Sequence, residues 1–241
     1  MNCASRRVFL KLVFLNMFLL QLFNPIKPLL GSLIGKNRKE DAMILPRPNE
    51  EGRVSVEKAI KNRRTVRSFT SRQLTKDQFS QLLFAAQGIT EDRGFKRAAP
   101  SGGALYPIDV YAVVGEKGVE DLDAGIYHYV PSGHRVELVG PGDKRKQIAN
   151  ASLWQMWMAQ APVNLVITAE YARICSKYGD RGIRYAIIEA GHVGQNIFLQ
   201  AEALGLRAGI VGAFNDAEII KIMGIPKNHE PLLIMPVGYQ A

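Results

Sequence analysis

The chain has 241 residues, 22% charged and 47% hydrophobic, with 22 glycines, 12 prolines and two cysteines. That balance excludes a disordered tail, a collagen-like fibre and a disulfide scaffold, and no Pro/Gly/Ser-rich divide splits the middle of the chain. The net charge of +9 suggests nucleic acid, but residues 1–40 hold seven Lys/Arg against Glu40 alone, a net +6, leaving 24 basic and 21 acidic residues (net +3) in the other 201, too even for a phosphate-backbone face.

In chain order, Arg6-Arg7-Val8-Phe9-Leu10-Lys11 precedes an apolar run from Leu12 to Phe23. The paired arginines, the following Phe and the closing Lys resemble a twin-arginine export signal. The alternative is a membrane anchor, although the charge-free stretch Leu12 to Ile26 is 15 residues, short of the ~20 a spanning helix needs. Residues 1–35 are therefore read as leader or anchor, 36–52 as a polar linker and 53–241 as the folded domain. On this reading the protein is exported or held at the membrane facing outward, and cytoplasmic if the leader is not a signal.

Within the domain, Val54, Val56, Ala59 and Ile60 predict a short helix ending near Asn62. Thr75-Lys-Asp-Gln78 is a cap signal for a second helix running to Gly88. Asp109–Val114 reads as a strand; Gly125–Val130 and Arg135–Val139, joined by Pro131–His134, read as a hairpin. Residues 143–158 look helical and Val163–Ala169 reads as a buried strand. A long helix follows from about Arg181 to Leu204, where apolar or small residues recur at three-four spacing. Arg207–Phe214 reads as a strand, Asp216–Met223 as a helix capped by Asn215 or Asp216, and Pro231–Tyr239 as a last strand. The mixture predicts an α+β sheet flanked by helices.

Three motifs carry chemistry. Arg63, Arg64 and Arg67, with Thr65 and Ser68 between and beside them, place three guanidiniums within five residues, suited to a phosphate. Cations attracted to a helix C-terminus are the structural alternative. Pro100-Ser101-Gly102-Gly103 lets the backbone approach a flat ligand, or simply turns into the next strand. Gly209-Ile-Val211-Gly212-Ala213-Phe214 hands a strand over to a helix and can present backbone N–H groups. His128, His134 and His192 fit structural positions better than a site. Trp154, Trp157 and Met158 are candidates to roof a flat substrate, or core. No spacing of His and Cys suits zinc, and no Gly-x-Gly-x-x-Gly supports a dinucleotide fold.

Taken in this order, these motifs resemble the nitroreductase-like flavoproteins over about residues 53–240. Pro100–Pro107, Gly125–Tyr129, Lys177–Tyr185 and Glu189-Ala-Gly-His192 are similar to the SagB/ThcOx-type dehydrogenase branch, which includes the flavin enzymes of thiazole and oxazole peptide maturation. The resemblance implies an α+β nitroreductase fold with a mainly antiparallel central sheet, and FMN held at the interface of an intertwined homodimer. It implies that Arg63, Arg64, Thr65 and Arg67 hold the phosphate and ring edge. Pro100, Ser101 and Gly102 approach from the partner, and Val211, Gly212 and Ala213 lie along the ring with an N–H facing N5. Lys177 and Tyr178 match the branch's Lys-Tyr pair, with Lys177 as base in a water-poor pocket and Tyr178 as its relay. Many relatives carry a further Lys/Arg pair after the last strand; here the chain reads Val237-Gly-Tyr-Gln-Ala241, so the arginines at 63–67 are expected to do more of that work, or Arg184 or Arg207 to help. The implied activity is FMN-dependent hydride transfer with a small organic or peptide substrate. An NAD(P)H-driven nitro- or quinone reductase and a non-catalytic flavin- or ligand-binding module are the alternatives.

Overall fold

A computed structural model describes residues 42–91 and 93–241. The leader expected over 1–35 lies outside the described residues. Seven strands form one sheet: β1 (Ala42–Ile44), β2 (Ile108–Val114), β3 (Gly125–Val130), β4 (Arg135–Pro141), β5 (Val163–Ala169), β6 (Arg207–Ala208) and β7 (Glu230–Gly238). Their spatial order is β1-β4-β3-β2-β5-β7-β6, and every neighbouring pair is antiparallel. Among the described residues the helices are α1 (Val56–Asn62), α2 (Lys76–Gln87), α3 (Arg145–Ala151), α4 (Tyr171–Tyr178), α5 (Arg181–Ala203) and α6 (Asp216–Met223).

Strand β5 is buried at all seven positions and pairs with β2 and β7 along its length. A strand covered on both faces reads as a near-continuous apolar run, and Val163–Ala169, interrupted by Asn164 and Thr168 alone, follows that pattern. Alternate residues feed two cores. Leu165 and Ile167 of β5 join Val110 and Ala112 of β2 under α2 and α5. Val166, Tyr111 and Val113 pack on the other face with α3 and α6.

Local chemistry sets the helix ends. Thr75 accepts from the Gln78 N–H at 3.1 Å, and the Gln78 side chain accepts from the Thr75 N–H at 3.0 Å, a reciprocal cap that starts α2. Of the two candidates before α6, Asn215 is the cap, accepting from Glu218 N–H at 3.1 Å.

Three expectations are corrected. Residues 143–158 are not one helix: α3 stops at Ala151, and Leu153 and Trp154 take positive φ before a 3-10 turn at Met156–Ala159. The break swings Met158 into the core and lays Trp157 against Phe69, with ring centroids 6.2 Å apart. Strand β6 covers only Arg207–Ala208, because the chain then leaves the sheet edge, touching β7 again through Val211 and Ile234. Part of the expected linker is structural. Ala42–Ile44 pairs with β4, Leu45 is 4% exposed, and the Ser80 hydroxyl donates to the Pro46 carbonyl at 2.6 Å. His134 bridges Tyr129, Ser80 and Pro46 there and is structural, as expected. Among the described residues no helix is long and apolar enough to cross a membrane.

Leu45→Ala should therefore lower the unfolding free energy by roughly 2–3 kcal/mol, as for a core truncation. Urea denaturation of both proteins measures it; an unchanged midpoint would mean that the segment is a linker after all.

Candidate functional site

The arginine motif begins where α1 ends. Arg63 closes the helix with its N–H on the Ala59 carbonyl, and its guanidinium lies 5.2 Å from the Phe198 ring centroid on α5. The chain then runs extended beside β6: Thr65 bridges Ala208, and Val66 N–H donates to the Ala208 carbonyl at 3.0 Å. Gly209 permits this approach, since a Cβ there would lie 2.8 Å from the Val66 carbonyl and 2.7 Å from the Trp157 ring. Arg67 sits over that same indole, 6.0 Å from its centroid. Thr65 and Arg67 are exposed and Arg63 is half-buried. Arg64 differs: its guanidinium donates to the Lys61 and Arg63 carbonyls at 2.9 and 2.8 Å, capping α1 rather than facing the other two.

The Gly209–Phe214 segment meets this group from the other side. Val211 is buried and exchanges both main-chain hydrogen bonds with Ile234 at 2.9 Å. Its N–H is thus committed, which removes it from the expected ring-facing donors. Gly212 and Ala213 leave the sheet and are exposed. Gln155 donates to the Ala213 carbonyl at 3.3 Å, tying this turn to the broken helix and its exposed Trp154. Of the expected helpers, Arg207 is occupied by Glu202 at 3.1 Å, and Arg184 is exposed on α5.

The second group forms around Pro100–Ala104. Ser101 precedes a 3-10 turn, Gly102–Ala104, that opens toward β2. A Cβ on Gly102 would lie 3.3 Å from Ile174 and 3.7 Å from Tyr185. On Gly103, whose φ is +65°, it would lie 2.7 Å from the Tyr178 hydroxyl and 3.1 Å from Lys177 Nζ. Only glycine meets both demands. Lys177 and Tyr178 end α4, a helix absent from the sequence reading. Gly182 lets α4 and α5 cross backbone to backbone, since a Cβ there would lie 2.9 Å from the Cys175 nitrogen. Tyr178 packs edge-on against Tyr185 at 5.2 Å, and the Tyr185 hydroxyl accepts from Arg181 at 3.1 Å. Pro100, Ser101, Gly102, Lys177 and Tyr178 are therefore together, with Lys177 exposed.

The two groups stand at different levels of α5. Tyr185 marks one and Phe198 the other, 13 positions apart on a continuous helix, or ~20 Å at 1.5 Å per residue.

Sequence reasoning missed two features. Glu189 on α5, noted only as part of a motif, is 1% exposed beneath the Ser101 turn. Burial pushes its carboxyl up to about 7 against the pull of Ser101, Gln87 and Arg97. Gln87 donates to Glu189 Oε1 at 3.4 Å, and Arg97 donates to Gln87 at 3.3 Å. A glutamate falling on the apolar stripe of a long helix is the signal that would have found it. The other feature joins Asp109, Glu170 and His229, whose ligand-type atoms lie within 4.8 Å of one another. Arg173 supplies their cation, 2.8 Å from Asp109 and 2.6 Å from Glu170, while His128 bonds Asp109 at 3.0 Å. Burial raises the Asp109 carboxyl, but His128 and Arg173 outweigh it and hold the group below its ordinary range. This network fixes the start of α4 to β2 and so sets where Lys177 and Tyr178 end up.

A carboxyl raised from 4.5 to about 7 on folding means that the native state holds a proton the unfolded chain has released, so its contribution falls as pH rises between those values. Relative to Glu189→Gln, the wild type should lose on the order of 2 kcal/mol of stability between pH 5 and pH 8. Urea titrations at both pH values measure it; parallel curves would contradict the burial argument.

The nitroreductase family model matches residues 60–239. A nitroreductase-type protein of Methanocaldococcus jannaschii is 42% identical over 198 residues, covering 82% of this chain and 97% of that protein. The microcin B17-processing protein McbC of Escherichia coli is 29% identical over 162 residues, which cover 66% of this chain and 60% of that one. A nitroreductase-type crystal structure from Ralstonia eutropha superposes with a TM-score of 0.71 at 26% identity, covering 92% of this chain and 99% of that one. The fold also matches a chain of the Escherichia coli microcin synthetase McbBCD complex, with a TM-score of 0.63 at 24% identity over 92% of this chain and 85% of that one. With the fold and two clustered motif groups in place, the chain belongs to the nitroreductase family of oxidoreductases, and its similarity to peptide-processing relatives points to the SagB-type branch.

Proposed function

We propose that this protein is an FMN-dependent dehydrogenase whose site closes between two copies of the chain, acting on an azoline-type peptide or a comparable small organic substrate. The observation that carries the reading is the pair of motif groups set apart along α5, one at Tyr185 and Glu189 and the other at Phe198, roughly 13–20 Å at 1.5 Å per residue. A two-fold partner supplies each group with its complement, as an isologous contact requires. Along α5 the exposed positions Arg184, Ile187, Ile188, Gly191, His192 and Gln195 form a stripe at three-four spacing. A Cβ on Gly191 would meet nothing within 4 Å, so a second helix has room to approach.

The donor set suits a flavin phosphate. Arg63 and Arg67 are braced on the Phe198 and Trp157 rings, and the exposed Thr65 lies between them in the chain. The exposed turn at Gly212 and Ala213 offers main-chain N–H groups, and Gly102 and Gly103 leave a surface without side chains. Bound FMN supplies the two-electron, hydride-accepting or hydride-donating centre. The chain's own part is acid–base and positional. Lys177 and Tyr178 stand where the proton of a substrate N–H is taken up as the neighbouring C–H is oxidised. Lys177 is exposed in the single chain; a partner covering it excludes the water that would compete for that proton.

A second reading is favoured by the Methanocaldococcus jannaschii relative, which is named a nitroreductase: an NAD(P)H-driven reductase of nitro compounds or quinones. Stopped-flow mixing separates the two, since rapid bleaching of the flavin by NADH identifies the reductase and bleaching by an azoline peptide alone identifies the dehydrogenase. The Arg6-Arg7 pattern supports export of the folded protein, tested by fractionating cells that carry Arg6→Lys with Arg7→Lys.

Purified protein should show a flavin absorbance band and release FMN on denaturation. Removing both braced cations, Arg63→Ala with Arg67→Ala, should weaken FMN binding by about 100-fold or more, given roughly 1.5–3 kcal/mol per charged hydrogen bond. Lys177→Ala should keep FMN and lose turnover by about 10²–10⁴. Colourless protein that takes up no added FMN, or a Lys177→Ala enzyme with undiminished turnover, would contradict the proposal.

A further inference from the structure

Beneath the Ser101 turn lies a carboxyl group for which the function above has no use. Glu189 is 1% exposed, and its Oε2 is buried without a hydrogen-bond partner. Leaving such an oxygen unpaired inside a protein is costly unless the group does something with it. Every polar neighbour is accounted for. Gln87 on α2 donates to Oε1, Arg97 donates in turn to Gln87 and lies against the Tyr106 ring at 4.1 Å, and the Ser101 hydroxyl faces the carboxyl from the turn.

The Ser101 oxygen already accepts the Tyr106 N–H at 2.9 Å. Its one proton is therefore free to point either of two ways. A neutral carboxylic acid can donate to the Ser101 oxygen, which leaves the Ser101 proton to point out of the turn. An ionised carboxylate only accepts, so it draws that proton down and removes the outward donor. We infer that Glu189 is a positioning residue for the FMN site: its proton sets whether the Ser101 hydroxyl points toward the bound cofactor or away from it. The inference rests on the FMN reading above and deepens it. No atom of Glu189 needs to touch the ligand; its effect passes through Ser101 and through the negative charge that ionisation adds below an anionic cofactor. Arg97, paired with Gln87 and stacked on Tyr106, offsets that charge only in part.

The sign follows. FMN binding favours the neutral acid, so affinity is full at low pH and falls as pH rises through the carboxyl's titration near 7. In Glu189→Gln the amide donates at every pH, and that dependence disappears. The FMN phosphate itself titrates in this range, so the comparison is the ratio of the two dissociation constants. FMN binding to apoprotein, followed by fluorescence between pH 5.5 and 8.5, should give equal constants at the acid end. At the alkaline end the wild type should bind about tenfold more weakly, as a one-unit coupling produces. Isotope-edited infrared spectra of the apoprotein supply a readout without cofactor: a protonated carboxyl band that vanishes near neutral pH and is missing in Glu189→Gln. Ser101→Ala should keep that band and shrink the pH-dependent ratio to the part that the carboxylate charge alone produces; an undiminished ratio overturns the role given to Ser101. A ratio constant across the range, or a Glu189 ionised throughout, overturns the inference while leaving the FMN reading intact. Failure of the wild type to bind FMN at any pH overturns both.

Discussion

The burial of α5 against the sheet is the constraint on which the rest depends. Its 23 residues cover β5, β6 and β7 with small and apolar side chains, Ala186, Ala190, Val193, Gly194, Ile197 and Ala201 among them. A Cβ on Gly194 would meet Leu233 and Met235 at 3.5 Å, an ordinary packing contact, so the helix seats closely on β7 at this point. With the axis fixed in this way, Phe198 receives Arg63 at one level, while Tyr185 and Glu189 receive the glycine turn at another. Each chemically useful group is positioned by what it packs on along this helix, rather than by its own loop.

That arrangement explains why the buried charges differ in kind. In the Asp109–Glu170–Arg173 network two carboxylates share one guanidinium and two histidines close the remaining sides, and Asp109 Oδ2 is held by the Arg173 ion pair at 2.8 Å rather than by a hydrogen bond. Its service is to lock the start of α4. Glu189 is under-satisfied by comparison, with one weak amide contact and an orphaned oxygen. Charge pairing separates the two: Arg173 faces Asp109 and Glu170 directly, whereas Arg97 reaches Glu189 through Gln87.

Much of this was legible in the residues. The Thr75–Gln78 cap, the mostly apolar run of β5 and the three-four stripe of α5 each mark an element by local physics alone. The site motifs were legible as well, because arginines and glycines at those spacings have few structural uses. What was hidden depended on tertiary contacts. Nothing in Ser152–Gln155 announces that the helix must break; the break exists because Trp157 has to reach Phe69 and Gly209. Helix α4 escaped because eight residues carry only two turns of pattern. Strand β1 sat inside a charged stretch, and only its pairing with β4 gives it form. Arg64 looked equivalent to its neighbours until its guanidinium turned back on α1, and Val211 offered an N–H that Ile234 had already taken.

The central claim is that two groups held roughly 13–20 Å apart on one helix make one site only when two chains meet. Native mass spectrometry of the protein with FMN, recorded across a dilution series, tests it most directly. The account predicts two FMN on each two-chain species and none on the single chain. Single chains that each carry one FMN would contradict it.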